Sequence, residues 1–141
     1  MKGAAMKKLI QSFAIIVFTL ALGLPASAHH AFGGEFDAKR PVLLKGKVVR
    51  VQWVNPHVWI HIDVAKDDGT TEEWMIEGGS PNTLTRYGLT GKSIELGTEV
   101  IVDGYQARDP TLRRANGRNI TLADGRQLLL GSSRGRESDQ Q

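Results

Sequence analysis

The 141-residue chain contains no cysteine, so it cannot form disulfides, use a thiol nucleophile or bind a metal through a thiolate. Its 18 Lys and Arg exceed its 15 Asp and Glu, which gives a net charge of +3. Three of these lysines lie within the first eight residues, so the rest of the chain carries 15 basic and 15 acidic residues. Without an excess of positive charge to neutralise phosphates, we expect no nucleic-acid partner.

The N-terminal 28 residues have the order of a secretory signal. The three lysines precede an apolar run at 13–24, and Pro25 and the small residues 26–28 follow it. The apolar run is shorter than the roughly 20 residues needed to span a bilayer, which disfavours a retained anchor. The sequence therefore predicts cleavage after Ala28 and a periplasmic or secreted protein that begins at His29 and keeps no stable membrane anchor.

The remaining chain is long enough for one domain with one hydrophobic core. We expect an extended N-terminal arm at 29–41, a β-rich domain at 42–131 and a disordered polar tail at 132–141. Phe32 and Phe36 are expected to pack from the arm against the edge of the domain.

The first predicted strand runs from Val42 to Trp53, and the slip of its apolar phase near Gly46 predicts a bend at a bulge. The clearest strand follows the turn at 55–56. Its aliphatic residues at 58, 60, 62 and 64 alternate with others, which predicts that Ile60 and Ile62 are buried. His57, Trp59 and His61 are then expected on the opposite face.

Turn and cap signals order the rest of the domain. Asp67-Asp68-Gly69 predicts a hairpin, and a third strand should end at Glu77. Ser80-Pro81 predicts a short helix that stops at Gly88. A fourth strand around residue 101 and a hairpin at 124–125 complete the pattern. The order predicts an all-β fold with one short helix, an OB-like Greek-key barrel of five or six strands.

The four histidines fall into two pairs, His29 with His30 and His57 with His61. Cleavage after Ala28 would give His29 a free α-amine beside its imidazole, and nitrogen donors of this kind bind copper or zinc. The arrangement is similar to the first half of the histidine brace of copper monooxygenases. We therefore treat all four histidines as candidate metal ligands, with copper as the possible cofactor.

The second pair cannot clamp one ion from a straight strand. Four residues of extended chain span roughly 13 Å, whereas two nitrogens on one metal lie within about 4 Å of each other. One of the two histidines meeting the N-terminal pair is geometrically easier. The alternative interpretation is structural: His57 caps a turn, His61 is a solvated residue, and His29 and His30 are a mobile terminus.

A second candidate site uses aromatic residues on the expected ligand face of the fold. Trp59 shares a face with the two strand histidines, and Trp53 and Asn55 lie just before it in the chain. Such a surface could stack a small organic ligand or contact a protein partner. The alternative is that Trp53 and Trp74 belong to the core and Trp59 covers an edge.

Other polar features have simpler interpretations. Arg108, Arg113, Arg114 and Arg118 are predicted to lie on a solvated loop. Glu73 and Glu77 share a face and are expected to be solvated. Gly78-Gly79 before the helix could bind an anion, or could simply form a tight strand-to-helix turn. Hydrolytic motifs such as a nucleophile elbow or His-Glu-x-x-His are absent from the sequence.

Several motifs together resemble one family. They are His29-His30-Ala31-Phe32, Gly46-Lys47-Val48, Trp53-Val54-Asn55-Pro56-His57-Val58-Trp59, Glu77-Gly78-Gly79-Ser80-Pro81 and Leu122-Ala123-Asp124-Gly125-Arg126. The chain resembles the exported bacterial domain-of-unknown-function family number 6152 over essentially its whole mature length. The resemblance implies a periplasmic location in a Gram-negative bacterium and transfers no activity or functional residue.

The sequence as a whole favours binding over catalysis. The leading hypothesis is a copper site made by His29 and His30 with help from His57 or His61. A binding module for a small molecule or a periplasmic protein, using the Trp59 surface, is the first alternative. A copper-dependent oxidative enzyme is the second.

Overall fold

The computed structural model describes residues 33–131, all of which belong to the second of two compact units, 1–31 and 32–141. The predicted signal, the predicted tail at 132–141, and the residues His29, His30 and Phe32 lie outside the described residues. Within 33–131, no helix combines the length and apolar character needed to cross a membrane.

Six strands and one helix follow a helical turn at 33–35. They are β1 (Phe36–Gln52), β2 (Trp59–Ala65), β3 (Thr71–Glu77), α1 (Pro81–Arg86), β4 (Glu99–Ala107), β5 (Arg114–Thr121) and β6 (Gln127–Leu129). The predicted all-β class is confirmed.

The strands pair in the order β3-β2-β1-β4-β5-β6, and a parallel pairing between β3 and β5 joins the ends of the first five into a ring. The remaining pairs are antiparallel. The helix lies between β3 and β4 in the chain, as the OB-like prediction requires.

Strand β1 is long because it pairs with two neighbours, β2 and β4. It begins at Phe36, six residues before the predicted start, since Phe36 is buried and pairs with Ala107. A register shift between Phe36 and Pro41 interrupts the apolar alternation there, which explains why the sequence shows no sustained period. The predicted bulge is confirmed, but it lies between Val48 and Arg50. Gly46 instead allows β1 and β2 to lie close together. A side chain at this position would clash, because its Cβ atom would lie 2.6 Å from the Asp63 carbonyl oxygen.

Strand β2 has the predicted phase. Ile60 and Ile62 are fully buried and pair with Ile76 and Trp74 of β3, so the inner face of this hairpin is apolar. The core continues through residues of every strand and of the helix. Its buried members include Leu44, Val48, Val58, Leu84, Leu89, Val100, Val102, Ala115, Ile120 and Leu130.

The predicted turns and caps are confirmed. Gly69 has φ +83° in the β2–β3 turn, a conformation that glycine adopts without steric cost. The Ser80 side chain accepts a hydrogen bond from the Thr83 amide, and Pro81 begins α1. Ile120 and Leu128 pair across the final hairpin.

Candidate functional site

Two histidine–glutamate pairs lie on the outer face of the β2–β3 hairpin. The Nδ1 atom of His57 is 2.8 Å from Glu77 Oε1, and that of His61 is 2.6 Å from Glu73 Oε1. Each glutamate is diagonal to its histidine, because Trp59 pairs with Glu77 and Asp63 pairs with Glu73. The pairs are alike in chemistry and differ in exposure.

His57 is the accessible histidine of the two. Its side chain is 37% exposed, and it lies directly before β2. The Nδ1 atom is also 3.2 Å from the Gly78 carbonyl oxygen, which can only accept a hydrogen bond. The ring therefore carries its proton on Nδ1, which donates to the Gly78 carbonyl, while the Glu77 carboxyl group lies 2.8 Å from the same nitrogen. In the neutral ring Nε2 is left as the nitrogen with a free lone pair, and among residues 33–131 it has no hydrogen-bond partner.

Glu77 is a buried carboxyl group, since its side chain is only 10% exposed. Burial raises the pKa of Glu77 above its ordinary value of 4.5, and the nearby Glu35 carboxylate raises it further. His57 and Arg114 oppose this change, but burial is the largest influence on the pKa. The prediction that Glu77 is solvated is wrong, because the end of β3 lies between β2 and β5.

His61 is fully buried, although it lies on the outer face of the sheet. Its Nδ1 atom lies 2.9 Å from Arg50 Nη2 as well as beside Glu73, and its Nε2 atom is 3.5 Å from Gln52 Oε1. Arg50 and Glu73 are about half exposed and extend over the ring. The interpretation of His61 as a solvated residue is therefore wrong, and both of its ring nitrogens already have polar neighbours.

The structure does not bring His57 and His61 together. The β2–β3 pairing is regular from Trp59 to Ala65, so the strand stays extended and its histidines contact different glutamates. Within the described part of the chain, no three His, Asp or Glu side chains are grouped as a metal site would require.

Trp59, His57, Glu77, Arg114 and Glu35 form a continuous polar and aromatic surface, which we call the Trp59 face. The Arg114 guanidinium lies 4.7 Å from the centre of the Trp59 ring and forms an ion pair with Glu35. Glu35 belongs to the helical turn that precedes β1. The first described residues of the chain therefore meet the outer face beside Trp59.

The prediction of a solvated arginine loop holds for Arg108 and Arg113, which are exposed between β4 and β5, and is wrong for the other two arginines. Arg114 and Arg118 lie on β5, where Arg114 pairs with Met75 of β3 and Arg118 forms an ion pair with Asp103. Arg113 contacts the Trp74 ring and Glu72. The inward and outward positions of β5 do not alternate between apolar and polar residues, so the strand is hard to recognise in the sequence. Its inward positions are filled by the small residues Ala115 and Gly117, because neighbouring side chains leave no room for larger ones.

The other predicted ligand contacts lie apart from this face. Trp53 is half-buried and packs against the core and beside Gly91, where a Cβ would lie 3.7 Å from its ring. Asn55 is exposed in the loop between β1 and β2. Trp74 is buried, as the core interpretation predicts.

The glycines before the helix are not an anion site. The Gly78 amide donates to the Val58 carbonyl and the Gly79 amide to the Leu130 carbonyl. The turn interpretation is correct, because both amides are used to hold β2, β3 and the end of the domain together. A shallow groove of about 390 Å³ lies elsewhere, between Leu43 of β1 and Tyr105 of β4, and no predicted site residue lines it.

The raised pKa of Glu77 predicts a pH-dependent effect of Glu77→Gln on the metal-free protein. As pH rises above about 4.5, the unfolded state releases the Glu77 proton before the folded state does, so ionisation disfavours folding. We expect the variant to gain free energy of unfolding relative to the parent as pH rises from 4 to 7. Urea denaturation with a chelator present measures this difference. If the difference in free energy of unfolding between variant and parent stays constant or falls as pH rises, the pKa of Glu77 is not raised by folding.

Residues 33–131 form a small all-β, OB-like domain in which the partly exposed His57 lies beside the buried Glu77. The chain belongs to the family of unknown function DUF6152, whose model matches residues 17–116. This range contains all four histidines and every residue of the Trp59 face, and it confirms the resemblance seen in the sequence. No curated protein matches the chain.

Proposed function

We propose that the protein is an exported, periplasmic binding protein that binds one copper ion through its N-terminal histidines with help from His57. The observation that carries the proposal is the orientation of the His57 ring. Its Nδ1 donates to the Gly78 carbonyl and lies 2.8 Å from the buried Glu77 carboxyl group, which leaves Nε2 as the metal-binding atom of a partly exposed ring. A histidine whose other nitrogen donates to a backbone carbonyl or a carboxylate is the usual form of a metal ligand in proteins.

Glu35, near the start of the described residues, lies on the same face as His57. The Arg114–Glu35 ion pair and the Arg114–Trp59 contact place Glu35 on the face that contains His57. His29 precedes Gly33 by four positions, which allows a separation of at most about 14 Å between their Cα atoms.

The donor set suits copper. Imidazole and amine nitrogens bind Cu(II) well, and divalent copper is the most strongly bound of the first-row metals in such sites. Of the two strand histidines, our proposal uses only His57, because the His61 ring is fully buried. Glu77 would orient His57 and would not bind the metal.

The Trp59 surface supports an organic ligand less well. Arg114 already stacks on the Trp59 ring at 4.7 Å, so that face of the ring is covered. Trp53 packs against the core, and therefore does not extend the aromatic surface.

Copper titration of the processed chain, which begins at His29, tests the proposal. We expect one Cu(II) per chain at pH 7.5, measured by competition with a chromophoric chelator. Affinity should fall as pH drops through the general imidazole range, since protons then compete for the ligand nitrogens. Trp59→Ala should retain copper within a few-fold.

Absence of stoichiometric uptake by the processed chain would contradict the proposal. A copper affinity that depends on Trp59 and is indifferent to pH would contradict it as well. Such a result would favour the binding module for an organic or protein partner.

A further inference from the structure

The shallow groove between Leu43 of β1 and Tyr105 of β4 is a surface that the proposed copper site does not use. We call it the Tyr105 groove. Its volume is about 390 Å³, and the residues that line it belong to β1, β4 and β5. Small-molecule sites in proteins have volumes of about 300–1,000 Å³, so the groove is large enough for one small ligand. None of its lining residues belongs to the Trp59 face.

One side of the groove is a carboxylate that two consecutive residues of β5 hold in place. Arg118 Nε donates to Asp103 Oδ1 at 2.6 Å, and Asn119 Nδ2 lies 3.2 and 3.0 Å from the two oxygens of the same carboxylate. Consecutive strand residues normally point to opposite faces. The register shift between Asp103 and Gly104 allows both to reach Asp103. Because the Asp103 side chain is only 20% exposed, these bonds fix its position in the absence of a ligand.

Apolar side chains border the same carboxylate. Leu43 is opposite Asp103 in the β1–β4 pairing and is 74% exposed. Pro41 is opposite Tyr105, which is half-buried. The Arg118 guanidinium lies 6.0 Å from the centre of the Tyr105 ring. The groove therefore presents an aromatic ring and an apolar side chain beside an ion pair that is neutral as a whole.

We propose that the Tyr105 groove binds a neutral saccharide. A sugar ring has faces made of C–H groups and an edge made of hydroxyl groups, so it suits both kinds of surface in the groove. Its C–H face would pack on Tyr105 and Leu43, and one of its hydroxyls would donate to Asp103 Oδ2. That oxygen accepts one bond from Asn119 and has the capacity to accept a second.

The charges of the groove disfavour other classes of ligand. Arg118 already neutralises the Asp103 carboxylate, so neither an anion nor a cation would gain a net attraction. A flat aromatic ligand would stack on Tyr105, but it would cover Asp103 without supplying a hydrogen-bond donor, which costs free energy. A neutral ligand with hydroxyl groups avoids both penalties.

Titration of the metal-free processed chain with cellobiose tests the proposal. The ring hydroxyls of cellobiose are equatorial, so the faces of its rings consist of C–H groups. We expect saturable shifts of the Leu43, Gly104 and Arg118 amide signals in a two-dimensional NMR spectrum, while the Val49 and Trp59 signals stay in place. The dissociation constant should be on the order of 1 mM, because an open groove leaves much of the ligand in water.

Two variants with matched controls assign the binding to the groove. Tyr105→Ala should weaken cellobiose binding about tenfold, as expected for the loss of a stacking partner, whereas Trp59→Ala should bind as the parent does. Leu43→Thr should weaken binding about threefold through lost apolar contact, with an unchanged melting temperature because Leu43 is exposed. This variant keeps the test valid if Tyr105→Ala does not fold. Its control is Leu96→Thr, since Leu96 is 66% exposed outside the groove and should not affect binding.

Absence of saturable shifts at about ten times the expected dissociation constant would overturn the inference. Equal shifts with sorbitol, an open-chain polyol without a ring face, would overturn it as well. Equal weakening by Leu43→Thr and Leu96→Thr, or a preference of the same amides for indole over cellobiose, would also contradict a saccharide site. The titration uses no metal, so its outcome is independent of copper binding.

Discussion

Replacement of His57 by alanine is expected to weaken Cu(II) binding by the processed chain at least about 100-fold. Loss of the carboxylate behind a metal-bound histidine already costs about 10–100-fold in affinity, and loss of the ligand itself should cost no less. The Nε2 atom of His57 is the ring nitrogen that the hydrogen bond of Nδ1 to the Gly78 carbonyl leaves available. Competition titration at pH 7.5 measures the change.

His61→Gln is the matched control for this prediction. His61 lies on the same strand face and has its own glutamate, but its ring is fully buried between Arg50 and Glu73. We expect this variant to lose stability and to keep the parent copper affinity while it is folded, as judged by circular dichroism. Equal losses of affinity in the His57 and His61 variants, both folded, would show that the wrong histidine has been assigned.

Displacement of the N-terminal amine is expected to weaken Cu(II) binding about 100-fold or more. In the processed chain the amine and the imidazole of His29 belong to one residue, and linking two binding groups raises affinity by factors of about 10²–10⁴. A Gly-Pro extension before His29 moves the amine away from that imidazole. Proline is needed because a single glycine would place His30 third in the chain and create a new amine–amide–imidazole site, whereas proline has no amide proton to lose.

The same experiment requires the mature N-terminus to be known. Mass spectrometry of the exported protein should give a chain that begins at His29. Full copper affinity in the Gly-Pro chain would show that the amine is not a ligand, and a mature chain that begins elsewhere would remove the amine from the site.

The fold could be predicted from the sequence where local signals agree. The period of β2, the turn at Gly69 and the Ser80-Pro81 cap each specify an element without reference to the rest of the chain. Strand β5 and the first part of β1 could not be predicted in this way. Their conformation depends on partners far along the chain, so neither shows a clear apolar alternation of its own.

The two histidine–glutamate pairs could have been predicted from the sequence. The predicted turn is centred on Asp68, from which His61 and Glu73 lie seven and five residues away and His57 and Glu77 eleven and nine. Residues equally distant from the centre are directly opposite, so each of these pairs is predicted to be diagonal on one face of the hairpin. Burial distinguishes the two pairs, and it depends on residues of β1 and β5 that the hairpin sequence does not contain.

The contact of Arg114 with Trp59 and Glu35 has no sequence signature. It joins three segments that are distant in the chain, and only the parallel β3–β5 pairing places Arg114 opposite Met75, next to the outer face of β2. The opposite holds for the N-terminal histidines. The sequence identifies them as candidate ligands, and that they bind the same copper ion as His57 is our proposal.

Counting the imidazoles bound to Cu(II) by pulsed EPR tests the copper site most directly. The processed chain, loaded with one equivalent of Cu(II), should show imidazole nitrogens from the N-terminal segment and one more from His57. His57→Ala should show one imidazole fewer, and His61→Gln the same number as the parent. An unchanged imidazole count in His57→Ala would contradict the proposed site.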